Sequence, residues 1–368
     1  MKGVTRRSLL AVGPALFGSF SLAGSSPSTR SSPKKTKPLP ATGEFVRFVD
    51  PTTESVVVRL TDPSHTSLLP KPTNHFISVK ERFLVFSSDR AGRPAPYRLD
   101  LRTGIAAVID HFDTFVPSSL CLDPSGRSVY LLDGMTLKEV SFGAKRSRIV
   151  EEGVSAFGVG GSEKSITVVK NGELRMPGTA AQPLAKDVAA WCLVRPGDSG
   201  CLFQRGSCDA DGELWYAPMD VRQKPLLIAR GPLAGPVWSP DGSSVLFLRN
   251  TPSASGVLLS EIHELSPEGG PERKVSSTSQ FAAFAPNGDG SVFVGASRSK
   301  AQPTIILLLR SLQRELTLCE HRASHPAAVA PVFSPDSRRV YFESDHQGKT
   351  ALYSVNVEQL VEPTNATA

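Results

Sequence analysis

Val237-Trp238-Ser239-Pro240-Asp241-Gly242, followed by Val245-Leu246-Phe247-Leu248, decides the fold. Proline presets φ and glycine takes the left-handed position, so Ser-Pro-Asp-Gly reads as a tight turn. The apolar run after it, rich in β-formers, reads as a strand covered on both faces. The same wording recurs six more times. It runs His75 to Val79, Lys80-Glu81, then Phe83-Leu84-Val85-Phe86. It returns as Asp123-Pro124-Ser125-Gly126 before Val129 to Leu132, Gly160-Gly161 before Ile166 to Val169, and Pro196-Gly197 before Cys201 to Phe203. Phe284-Ala285-Pro286-Asn287-Gly288 precedes Val292 to Val294, and Val332-Phe333-Ser334-Pro335-Asp336-Ser337 precedes Val340 to Phe342. The turns fall near 81, 126, 161, 197, 242, 288 and 337. A spacing of about 43 residues, built from short strands, is the signature of a β-propeller.

The expected fold is therefore all-β: a seven-bladed β-propeller of four-stranded blades over 41–360. An open sheet edge invites aggregation, so the ring must close. Phe45 to Phe48 and Val56 to Leu60 precede the first repeat, and Ala351 to Val355 ends the last. An N-terminal strand is expected to complete the C-terminal blade. No convincing amphipathic helix interrupts the repeats; Glu261–Glu264 and Gln313–Cys319 come nearest, and the second reads as strand or loop.

The net charge is +6, but residues 1–40 hold seven basic residues and no acid. The remainder carries 34 basic and 35 acidic side chains. The high pI thus belongs to the tail, and no nucleic-acid partner is expected. Thr5-Arg6-Arg7-Ser8-Leu9-Leu10 and the short apolar stretch to Ala23 form a twin-arginine export pattern. Residues 1–23 are expected to be a signal peptide read through Arg6 and Arg7 by the twin-arginine machinery. The expected destination is periplasmic or secreted. Residues 24–40, rich in Ser, Pro and Lys, read as a linker, and 361–368 as a disordered tail. No other segment reaches ~18 apolar residues, so no stable membrane span is expected. A monomer is expected.

Several motif matches carry nothing. Gly197-Asp198-Ser199-Gly200 falls on a repeat turn and has no histidine segment to complete a triad. Gly158–Ser165 has Glu163 where a phosphate loop needs its second glycine. Asp209-Ala210-Asp211-Gly212-Glu213 reads as a hairpin turn before it reads as a calcium loop. Asn365-Ala366-Thr367 is a sequon at a terminus. The five cysteines lack C-x-x-C spacing, which removes zinc and redox-motif readings. Cys192 with Cys201 or Cys208 falls on one blade, where an oxidising compartment permits a disulfide.

In a propeller, the loop after each second strand and the approach to each first strand share one face. That face collects Arg90 and Arg93, Lys170, Arg205, Arg249, Arg298 and His346 from the loops, with Asp133 in the second blade. The approaches add His75, His321, Arg322 and His325. Cations around one mouth suit an anionic ligand, because guanidinium pairs bidentately with carboxylate.

The Phe-Ser-Pro-Asp-Gly wording of 237–242 and 332–337 resembles the TolB-type propeller. Val58 to Pro63, Phe83 to Arg90, Tyr97 to Gly104 and Val332 to Val355 resemble the oligogalacturonate lyase family. That resemblance implies β-elimination of short pectin fragments, with a His base and a metal held by His and Gln. The family's Gln-x-x-His-x-His before Pro331-Val332-Phe333 reads here as His325, Ala328 and Ala330. Ala189-Ala190-Trp191 and Gly235-Pro236-Val237 offer no histidine, and Gln204-Arg205 stands where the family tends to have one. The family's metal site is therefore expected to be dismantled, and no cofactor is expected.

The leading expectation is an exported, non-catalytic propeller that binds an acidic glycan or an envelope protein. The alternative is a lyase-like enzyme with an altered site, using His321 or His325 as base and Arg205 in place of metal; only this reading admits a divalent metal. A TolB-like scaffold that takes a partner peptide in the channel is the third.

Overall fold

The turn that repeats in the sequence repeats in space, with one added device. Its first residue caps the chain it has just turned, through a side-chain oxygen. Ser239 Oγ accepts the N–H of Ser244 at 2.9 Å and donates to Asp241 Oδ1 at 2.6 Å. Ser78, Asp123, Asn287 and Ser334 likewise accept the N–H five residues on, at 2.7 to 3.1 Å. A polar side chain thus satisfies a donor that the strand ladder leaves free. Gly242 supplies the left-handed position at φ +70°, and Ser337 takes that place in the last repeat at φ +61°.

The computed structural model describes residues 43–362 and 364, apart from 144–145, 163–164, 180–181, 190, 207–211, 253–257 and 279. The expected signal peptide and linker, with Arg6 and Arg7, lie outside the described residues, as do Cys208 and the Asp209–Asp211 turn.

Seven antiparallel sheets follow one another along the chain. Five have four strands. The sheet over Val154–Val159, Ile166–Lys170 and Glu173–Arg175 has three, with a single Leu174–Ala185 bridge beyond its edge. The last sheet has five. In it Val56–Arg59 pairs with Ala351–Asn356, and Val46–Val49 adds outside that pair. The ring closes as expected, with two N-terminal strands where one was expected. Thr53 Oγ1 donates to the Leu318 carbonyl at 2.9 Å, and Glu320 N–H donates to Asp50 at 2.9 Å. The closing segment is thereby tied to the sixth blade as well.

Strand alternation explains the core. Leu246 and Leu248 point to the sixth blade, among Phe281, Phe284 and Phe293. Val245 and Phe247 point to the fourth, among Leu202, Leu214 and Tyr216. Each second strand lies between two neighbours, which is why its sequence is apolar throughout. Phe83–Ser88 and Val292–Ser297 are buried at every position.

One expectation needs correction. The first blade's inner strand is Ser67–Leu68, joined by an Ile77–Leu84 bridge after an excursion through 69–75. It is not the continuous strand expected over His75 to Val79. Glu261–Glu264 lies within the strand Leu258–Leu265; Ile262 is fully buried, and Glu261 and His263 alternate with it. At the other end, Val361 is buried, and Thr364 Oγ1 lies 2.7 Å from Ser337 Oγ.

Candidate ligand-binding face

The loop cations stand at or just after the second strands of their blades, but most are already engaged. Arg90 pairs with Glu44, with Nη2 3.1 Å from Oε2, and lies over the Tyr97 ring at 5.1 Å. Arg249 clamps Glu272 with two hydrogen bonds of 2.9 and 2.6 Å and donates to the Arg230 carbonyl at 2.8 Å. Lys170 meets Glu151 at 2.6 Å, and the exposed Arg93 meets Asp113 at 3.4 Å. Asp133 caps Thr114 and pairs with Lys138 at 2.7 Å. These side chains stitch loops together.

Two of the expected arginines have no ion pair among the described residues. Arg298 donates to Asn250 Oδ1, Ser260 Oγ and the Phe281 carbonyl, all within 3.1 Å. Burial lowers its pKa, and its Nε finds no partner. Arg205 donates Nε–H to the Lys186 carbonyl at 3.0 Å and lies 4.1 Å from the Trp215 ring centroid. Pairing in register sets this stack: Phe203 faces Trp215, and Arg205, two residues on, shares that side. Trp191 lies on the opposite side of the sheet, packed with Leu202 and Leu214, its indole N–H on Gln204 Oε1 at 2.7 Å. Arg205 and Trp215 thus share one side of the fourth blade, and Gln204 and Trp191 the other.

The four histidines divide. His321 is wholly buried. Its Nε2 meets the Ser297 carbonyl at 3.1 Å, and its Nδ1 accepts the Ala323 N–H at 3.1 Å. Burial lowers its pKa, and no lone pair is left to take a substrate proton. His321 is therefore a structural residue, and the geometry corrects its candidacy as a base. His75 is solvent-accessible, yet desolvation by the surrounding protein lowers its pKa. It borders a pocket of about 260 Å³ with Phe76, Ile77, Val332 and Phe333. His346 packs against Tyr353 at 5.2 Å, with Nδ1 3.0 Å from Ser344 Oγ.

His325 is exposed and anchored. Ser324 Oγ donates to Asp345 Oδ2, and His325 Nδ1 lies 2.8 Å from Ser324 Oγ. The serine proton is committed to the carboxylate, so the imidazole donates through Nδ1 and keeps Nε2 basic. Asp345 feels burial, which raises its pKa, but the Ser324 hydrogen bonds outweigh it and the net shift is downward. His325 and Asp345 line a pocket of about 150 Å³ with Glu343, Leu68 and Thr350. Burial raises the Glu343 pKa to about 8, against the opposing hydrogen bond from the Leu69 N–H. Ligand pockets usually run to roughly 300–1,000 Å³, so this one admits a single functional group.

Sequence reasoning missed Trp191, Trp215 and Glu343. Trp215 could have been found from strand alternation around Arg205, and Trp191 from alternation around Gln204. Glu343 has the wording of a strand end, and nothing local marks its burial.

No protein-family model matches this chain, and no curated protein does. Among solved structures, an oligogalacturonate lyase in complex with manganese superposes at a TM-score of 0.71 and 19% identity, over 85% of this chain and 96% of that one. The oligogalacturonate lyase of Vibrio parahaemolyticus gives the same values. TolB from Acinetobacter baumannii aligns more loosely, at TM-score 0.46 and 10% identity over 88% of this chain and 79% of that one, and nothing rests on it. The shared property is the propeller fold.

The donor set does not fit a lyase-type metal. After His325 the motif positions are Ala328, which ends the short helix Pro326–Ala328, and Ala330. Methyl groups coordinate nothing, and among the described residues no three His, Cys, Asp or Glu side chains gather to hold an ion. Cys192 and Cys201 lie on adjacent strands, both buried and free, at 3.5 and 3.6 Å from Thr167 Oγ1.

Proposed function

We propose that this chain is an exported, non-catalytic propeller that binds an acidic oligosaccharide on its loop face. The observation that carries the reading is Arg205, laid on Trp215 and without an ion pair among the described residues. A guanidinium laid on an indole face is held in place and takes a carboxylate bidentately. Arg90, Arg93, Lys170 and Arg249 are neutralised by their own carboxylates, and Arg298 is held by three neutral acceptors, which concentrates the recognition on the fourth blade. Methyl groups at two metal-ligand positions and a closed His321 support binding without turnover.

The test is a titration of trigalacturonate and of neutral galactotriose into the purified protein, with a parallel absorbance assay for unsaturated uronate. Trigalacturonate is expected to bind and galactotriose not, Arg205→Ala should weaken binding about tenfold, and no unsaturated product should form. Equal binding of both sugars, or of neither, overturns the reading, and steady product formation turns it into the lyase alternative.

A further inference from the structure

The seventh blade contains donors without acceptors. Arg59 and Tyr353 face one another in register across adjacent strands of the seventh blade. Tyr353 is fully buried, and its hydroxyl has no hydrogen-bond partner. Arg59 has no ion pair among the described residues, and its buried Nε also lacks a partner. Buried charges and hydroxyls are normally satisfied, so two such donors side by side indicate a missing acceptor.

The surroundings say which acceptor. His346 packs on Tyr353 and on Phe48. Its pKa is lowered first by burial and then by Arg322 and Arg59, with Asp345 acting the other way. The nearby carboxylates are already used: Glu320 by Arg322 at 2.5 Å and by Thr52 at 2.6 Å, Asp345 by Ser324. The carboxamide oxygen of exposed Gln347 accepts from Arg59 Nη1 at 2.5 Å. A neutral oxygen thus holds the position that a ligand oxygen would take.

We propose that Arg59, Tyr353 and His346 form a subsite for a single carboxylate, with Gln347 as its displaceable cover. One oxygen takes the Arg59 guanidinium and the other the Tyr353 hydroxyl. The imidazolium of His346 forms as the negative charge arrives. The inference rests on the reading of this face as one that meets acidic ligands, but the site is separate from Arg205.

The test is an NMR titration of the histidine ring protons, with His346 assigned through His346→Gln. Saturating galacturonate or acetate is expected to raise the His346 pKa by about one unit, because an anion beside an imidazole favours its charged form. Galactose should leave it unchanged. Tyr353→Phe keeps the ring stack and should weaken galacturonate about tenfold. Arg205→Ala should leave the His346 response intact, which separates this subsite from the fourth-blade reading. An unchanged His346 titration with both anions overturns the proposal. So does wild-type affinity in Tyr353→Phe, or a galacturonate-soaked crystal that holds only water between Arg59 and Tyr353.

Discussion

Glu343 shows how one residue sets the behaviour of its pocket. Its carboxyl titrates near 8 in the fold, against 4.5 as its ordinary value. The folded protein therefore holds one more proton than the unfolded chain between those values, and stability falls as pH rises through that window. Glu343→Gln keeps an acceptor for the Leu69 N–H and removes the titration. Denaturant unfolding should show this variant gaining on the wild type from pH 5 to pH 9, by about 4 kcal/mol at the upper end; parallel pH curves would contradict the assignment. Arg249 is the opposite case, a cation whose task is internal. Arg249→Ala should cost about 1–2 kcal/mol of stability by stranding Glu272, and leave trigalacturonate affinity unchanged. Unfolding and binding measured on the same sample check both halves. Position on the loop face was legible for these residues, since each follows an apolar strand. Their partners were not: Glu44 lies 46 residues from Arg90, and Glu272 lies 23 from Arg249. Whether a loop cation is free or clamped depends on such distant pairings.

At the level of the element, the turn is the unit that the sequence states most plainly. Ser, Asp or Asn opens it, and the same side chain then caps a backbone N–H five residues on. Gly242 is the position with least tolerance. Its φ is +70°, and an added Cβ would sit 2.8 Å from the Pro196 carbonyl oxygen. Gly242→Ala should destabilise by about 2–3 kcal/mol, and Ser239→Ala by about 1 kcal/mol, each read as a shift in the denaturant midpoint. Strands were harder to place where the chain leaves its ladder. The excursion through 69–75 divides the first inner strand, so local pattern marked only its second half. The Glu261–Glu264 stretch is charged like a helix surface, but its burial alternates with period two, which only the neighbouring blades reveal.

The whole molecule depends on closure. The last sheet takes its two outer strands from the N-terminal end of the propeller, and Thr53 and Asp50 carry that segment onto the sixth blade. Deleting residues 1–60 should expose the edge of Ala351–Asn356, abolish cooperative unfolding and promote association; a monomeric, cooperatively folding truncation would contradict this. Closure was legible because apolar runs lie before the first repeat and after the last. The distribution of charge over the ring was only half legible. Composition showed a nearly neutral body, and repeat positions placed its cations on one face. Burial and pairing then decided which of them remain for a ligand. Arg205 on Trp215 is the centre of that account. Calorimetric titration of trigalacturonate into the wild type and Arg205→Ala tests it most directly. Saturable binding that the substitution weakens about tenfold, with galactotriose silent, is the predicted result. Identical isotherms for the two proteins would contradict it.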